Sequence, residues 1–173
     1  MSSLDLSSFW EDSEYARKEY VGGPVTDEMI QSVQAELGYR LPKAYIELLR
    51  NQNGGIPIKT RHRTSQPTSW AEDHVAITGI YGLDRSRSSS LCGEFSSKFW
   101  IAEWGYPDIG IYFADCPSAG HDMLCLDYSE CGPGGEPRVV HVDQEGDYEI
   151  TPVAANFDAF IRGLEDESVF DVG

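Results

Sequence analysis

The chain has 173 residues, 40% of them apolar and 12% aromatic, enough for a core that removes about two-thirds of the unfolded surface from water. Thirteen Lys and Arg stand against 29 Asp and Glu, a net charge of −16; that field repels nucleic acid and anionic membranes and attracts cationic partners. No stretch approaches the roughly 18 consecutive apolar residues of a membrane span, and the opening MSSLDLSS lacks the basic and apolar regions of a secretory signal. The expectation is a cytoplasmic protein without membrane or nucleic-acid partners, its four cysteines reduced thiols.

In chain order, residues 8–20 (SFWEDSEYARKEY) predict a helix that packs through Phe9 or Trp10, Ala16 and Tyr20, and Gly22-Gly23-Pro24 breaks it. Thr26 caps a second helix with Asp27 and Glu28 in its first turn, an apolar face of Ile30, Val33 and Leu37, and a stop at Gly38. Leu41-Pro42 opens a third, with Pro42 in the first turn, Tyr45, Leu48 and Leu49 on one face, and Gly54-Gly55 as its left-handed stop. Residues 57–72 are polar and unperiodic and predict a long loop. Residues 74–81 (HVAITGIY) predict a strand, 85–90 (RSRSSS) a polar turn, and about 94–103 a short helix ended by Gly105 and Pro107.

The remainder predicts strands at 109–114, 123–128, 138–143 and 148–153, the last three forming an antiparallel meander. CGPGGEP (131–137) is a turn between two of them and QEGD a tight loop between the next two. Asn156 caps a closing helix with Phe157, Phe160, Ile161 and Leu164 on one face. The fold class that follows is α+β, one domain with a central, largely antiparallel sheet and helices packed against it.

Together these residues form an outline: Leu37-Gly38, Leu41-Pro42, Tyr45 and Asn53-Gly54-Gly55, then Ala119-Gly120-His121-Asp122, Leu126-Asp127-Tyr128, and Phe157 with Phe160. That outline, over about residues 9–164, resembles the SUKH superfamily, which contains yeast cell-wall glucan-synthesis regulators and many bacterial proteins. The resemblance implies an α+β fold and a non-enzymatic role. Bacterial members look like immunity proteins that bind and neutralise toxins, often nucleases or other cationic domains. It implies no functional residue, because the toxin-binding face varies with the toxin.

Charge is unevenly spread. Residues 40–63 hold six basic residues and one acid, whereas residues 115–149 hold nine acids and one base, Arg138. For a cationic protein partner the candidate contact residues are Trp70, Glu72, Asp73, Glu103, Trp104 and Asp108, which combine aromatic area with negative charge. The competing reading for the two tryptophans is core. The expected assembly is a monomer or weak homodimer.

Other constellations carry less. Cys116, His121, Cys125 and Cys131 lack the tight Cys pair of a structural zinc site, and Cys125 sits mid-strand, so neither metal nor cofactor is expected. Cys116, His121 and Asp122 would supply a nucleophile, a base and an orienting carboxylate only if the fold brought them together; otherwise His121-Asp122 hydrogen-bonds loop backbone. A small Cys- or metal-dependent enzyme is thus the alternative from another class, and a regulatory scaffold the alternative within the binding class. The glycines of CGPGGEP lack the Lys-Ser/Thr of a phosphate loop. The basic KTRHR stretch (59–63) reads as a solvated loop, or as one steered toward the acidic sheet region.

Overall fold

The computed structural model describes residues 6–118 and 120–170; Ala119 of the Ala-Gly-His-Asp motif lies outside them. Helix α1 is Glu14–Glu19, much shorter than the expected 8–20. Ser13 caps it, its hydroxyl accepting the Ala16 N–H at 3.1 Å. The residues before it are held elsewhere: Trp10 bridges Pro57, and its indole N–H donates to Asn51 at 3.1 Å. A non-local contact has overridden a local preference.

Helix α2, Asp27–Leu37, has the expected bounds, with Thr26 accepting the Met29 N–H and Gly38 at φ 81°. Helix α3, Lys43–Asn51, buries Tyr45, Leu48 and Leu49 as its spacing predicts. Two details differ. Pro42 is the N-cap rather than a first-turn residue, and the helix ends at an extended Gln52, before the glycines. Asn-Gly-Gly therefore serves another purpose.

Asn53 is buried and ties three segments together. Its amide donates to the Gly23 carbonyl at 2.8 Å, its Oδ1 accepts the Leu83 N–H at 2.7 Å, and its own carbonyl accepts the Gly22 N–H at 2.9 Å. Gly54, at φ 89°, lies so close to this junction that a Cβ would meet the Tyr20 carbonyl at 2.7 Å and the Gly82 nitrogen at 2.8 Å. The conformation and the space both require glycine.

The expected loop 57–72 contains a strand, β1 (Arg61–Arg63), and the expected strand 74–81 is two: β2 (His74–Ala76) and β3 (Gly79–Ile80). β2 pairs with β1 in a two-stranded ribbon. β3 begins the main sheet with β4 (Gly110–Asp115), β5 (Asp122–Asp127), β6 (Arg138–Asp143) and β7 (Glu149–Ala154), in the order β3-β4-β5-β6-β7 and antiparallel throughout. The chain changes sheets where Tyr20 lies against Gly79, whose Cβ would fall 2.3 Å from the Tyr20 ring.

Helix α4, Ser97–Trp104, is capped by Ser96 and stopped by Gly105 at φ 75°. Helix α5, Phe157–Arg162, is capped by Asn156, with Leu164 buried just past its end. The class is α+β, as predicted. One aromatic cluster joins α3, β4 and α5: Phe157 packs on Tyr45 and Phe113 with ring centroids 4.7 and 5.5 Å away, and Phe160 packs on Phe113 at 5.6 Å. Among the described residues no helix is long and apolar enough to cross a membrane.

Asp115 anchors α1 to the sheet. The Tyr20 hydroxyl lies 2.8 Å from both its oxygens, and the Gly79 N–H donates at 3.1 Å. Burial lifts the Asp115 carboxyl to about 6, against the opposing pull of these hydrogen bonds. A carboxyl raised on folding binds its proton more tightly in the native state, so its charge costs stability as pH climbs from about 4 to 6, by about 2–3 kcal/mol. Asp115→Asn removes that decline. Urea midpoints of the two proteins across this window are expected to converge at low pH and separate above pH 6; parallel curves would refute the assignment.

Candidate functional site

Three segments meet at the acidic end of the sheet. The first is the last turn of α4, which leaves Trp104 half-buried with its ring 5.5 Å from Trp100. The second is the entry to β5, where Gly120, at φ 96°, lets the chain pass over these rings; a Cβ there would fall 2.7 Å from Trp100 and 3.2 Å from Trp104. The next residue, His121, is exposed and meets the Trp104 ring edge-on at 5.6 Å.

The third is the β6–β7 connection, a 3-10 turn at Gln144–Gly146. Its Glu145 carboxylate lies 2.8 Å from Nδ1 of His121, and Gln144 Oε1 lies at 3.1 Å. Asp147 and Tyr148 follow at φ 57° and 61°. Two successive non-glycine residues in the left-handed region cost about 1–3 kcal/mol each and persist only where the surroundings enforce them. Here the Tyr148 hydroxyl donates to the Trp104 carbonyl, clamping the hairpin to α4. Glu145, Asp147 and Glu149 are left in solvent.

Asp143 fixes the base of this hairpin and joins it to the long loop. Its Oδ1 accepts the N–H groups of Glu145 and Gly146 at 3.1 and 3.3 Å, and its Oδ2 accepts the Ser69 N–H at 3.0 Å. The adjacent Trp70 is 38% exposed, with the Arg61 guanidinium 5.9 Å above its ring. Glu72 and Asp73 are exposed beside it, Asp73 holding His74 at 2.8 Å.

The fold therefore links Trp70 to Trp104 through Ser69, Asp143, Glu145 and His121, and Glu103 flanks the far end. Asp108 is exposed and takes no part in this linkage; its charge acts on Tyr39, whose hydroxyl is pushed up by burial first and by the Asp108 charge second. Neither tryptophan is fully buried. As partner contacts, Asp143 and Glu145 went unselected at the sequence level, where the acids of 143–149 count only as charge, and His121 was weighed only as a metal ligand or catalytic base.

The KTRHR segment is used within the molecule, but on the C-terminal segment rather than the sheet: Arg61 pairs with Glu167 at 3.1 Å and Arg63 with Glu165 at 2.9 Å. These pairs are partly solvated and worth at most about 1 kcal/mol each. Cys116, His121, Cys125 and Cys131 do not converge: Cys125 is buried mid-strand, whereas His121 and Cys131 are exposed.

Cys116, His121 and Asp122 do not assemble either. Asp122 instead accepts from Nε2 of His141 at 2.6 Å and from the Ser118 hydroxyl. Burial works to raise its carboxyl, but the hydrogen bonds from His141 and Ser118 hold it below the usual range. Burial, then the charges of Asp122, Asp115 and Asp143, push the Cys116 thiol well up, so it is a sealed, protonated group and no nucleophile.

The profile of the SMI1 / KNR4 family (SUKH-1) matches residues 24–163. The chain belongs to this family. The match runs from the Pro24 turn to the end of α5, taking in the Asn53 junction and the whole β6–β7 hairpin. An L-aspartate oxidase of Mesorhizobium japonicum is 38% identical over 50 residues, a segment that takes in 29% of this chain and 10% of that protein. The chain thus covers about a tenth of that relative's length, against the near-complete SUKH-1 match.

Proposed function

We propose that this SUKH-1 protein is an immunity protein: it binds a cationic toxin domain stoichiometrically and occludes it. The observation that carries the reading is the set of solvent-facing acids and aromatics, Trp70, Glu145, His121 and Trp104, that the buried Asp143 ties together from beneath. Exposed Glu145, Asp147 and Glu149 steer a basic partner, and the two half-exposed indoles supply area that excludes water from the contact. A hairpin held by its backbone loses little freedom on binding, which favours affinity.

The test starts from capture at low salt from the native host, followed by purification of any basic toxin domain retained and titration of its activity with the wild-type protein and with Glu145→Lys/Glu149→Lys. One-to-one inhibition is expected. The double reversal, on solvent-exposed positions, should leave the urea midpoint nearly unchanged and slow association about tenfold or more at low salt, the gap closing as salt rises. A toxin bound equally fast by both proteins would remove this face from the interface. Capture confined to cell-wall or signalling proteins would favour the regulatory scaffold.

A further inference from the structure

Behind the acidic face lies a buried group of mixed chemistry. Cys116 follows β4, Asp122 opens β5 and His141 sits in the middle of β6. One ligating atom from each lies within 4.8 Å of the other two, and all three residues are buried. We infer that Cys116, Asp122 and His141 form a transition-metal site whose donor set fits zinc.

Chemistry, charge and geometry each support it. A thiolate, a carboxylate and an imidazole suit zinc, whereas magnesium and calcium favour all-oxygen sets. The charges that act most strongly on Cys116 are the carboxylates of Asp122, Asp115 and Asp143, with no Lys or Arg among them. Asp122 and Asp143 are 3% and 4% exposed, so this negative charge lies where water screens it poorly. A divalent ion with one thiolate, one carboxylate and one neutral imidazole is uncharged.

The required movements are small. Tetrahedral zinc separates such ligands by about 3.3–3.6 Å. The 2.6 Å contact between His141 and Asp122 would open by under about 1 Å and Cys116 would move inward, both side-chain motions. Asp143 stays outside, its oxygens committed to the N–H groups of Ser69, Glu145 and Gly146. Ser118, already bonded to Asp122, is the nearby hydroxyl that can complete the shell. In the binding step the thiol gives up its proton to solvent as its sulfur bonds the metal, and the His141 proton moves from Nε2 to Nδ1 so that the Nε2 lone pair can bond it; about one proton is released per ion and affinity rises with pH.

The experiment uses the 173-residue chain, stripped with chelator and titrated with cobalt(II) and then zinc. One cobalt per chain is expected, with a thiolate-to-metal charge-transfer band and visible bands of tetrahedral intensity, both abolished as zinc displaces it. Cys116→Ser should lose the charge-transfer band and weaken zinc by more than the roughly 10–100-fold that outer-shell changes cost; Cys131→Ser should keep both. If Cys116→Ser does not fold, zinc-edge X-ray absorption of the wild-type protein decides: one sulfur with nitrogen and oxygen neighbours supports the site. No uptake, a band that survives Cys116→Ser, or a shell with no sulfur or more than one would overturn it and leave the His141–Asp122 contact as a simple hydrogen bond.

Discussion

Phe157→Ala is expected to lower the unfolding free energy by about 3–5 kcal/mol, the range for deleting a fully buried ring. Phe157 has no exposed surface and is the first residue of α5, so its ring fastens that helix to Tyr45 of α3 and Phe113 of β4 at once. These partners come from rigid elements and cannot close the space, which places the cost toward the upper end. For a chain of this length the melting temperature should fall by roughly 6–20 °C. Calorimetry, with denaturant midpoints as a check on two-state behaviour, measures it. A loss below about 1 kcal/mol would mean that α5 is not docked as described.

Asn53→Ala is expected to cost about 1–3 kcal/mol although it removes only one small side chain. The substitution leaves the Leu83 N–H and the Gly23 carbonyl without the partners that Asn53 gives them at 2.7 and 2.8 Å. The Leu83 N–H is buried, and orphaning it costs about 1–3 kcal/mol, whereas the Gly23 carbonyl lies in an exposed residue and can turn to water. Asn53→Asp separates the two halves: it can still accept from Leu83 but cannot donate to Gly23, and it buries a charge. Hydrogen exchange gives the local readout. The Leu83 amide should lose its protection in Asn53→Ala even where the rest of the sheet keeps its own. A protected Leu83 amide and an unchanged denaturant midpoint would show that other groups hold the junction.

What could be read from the sequence follows from the distance over which each feature is decided. Thr26 and Gly38 bracket α2 with local hydrogen bonds and a local φ, and both ends were legible. Residues 8–13 have helical composition, but Trp10 is claimed by Pro57 and Asn51, more than 40 positions away, and no local rule contains that. Residues 74–81 alternate like one strand, yet the ribbon takes the first half and the main sheet the second. The residue types of the candidate site were legible in composition and their arrangement was not. Trp70 and Trp104 stood out as residue types, whereas their link runs through Ser69–Asp143 and His121–Glu145, pairs that only the finished sheet brings together. His141 was hidden for a different reason: in RVVHVD it occupies an ordinary strand position, and only the register across from Asp122 reveals its partner.

Asp143 holds the exposed face through main-chain groups alone, the N–H donors of Ser69, Glu145 and Gly146. Any non-proline residue offers the same donor, so the tips of the hairpin and of the long loop can exchange side chains without disturbing the clasp. The frame and the lettering on it are separable. If the proposed immunity role holds, a protein built this way can be refitted to a new toxin by substitutions at a few solvent-facing positions while its architecture stays put.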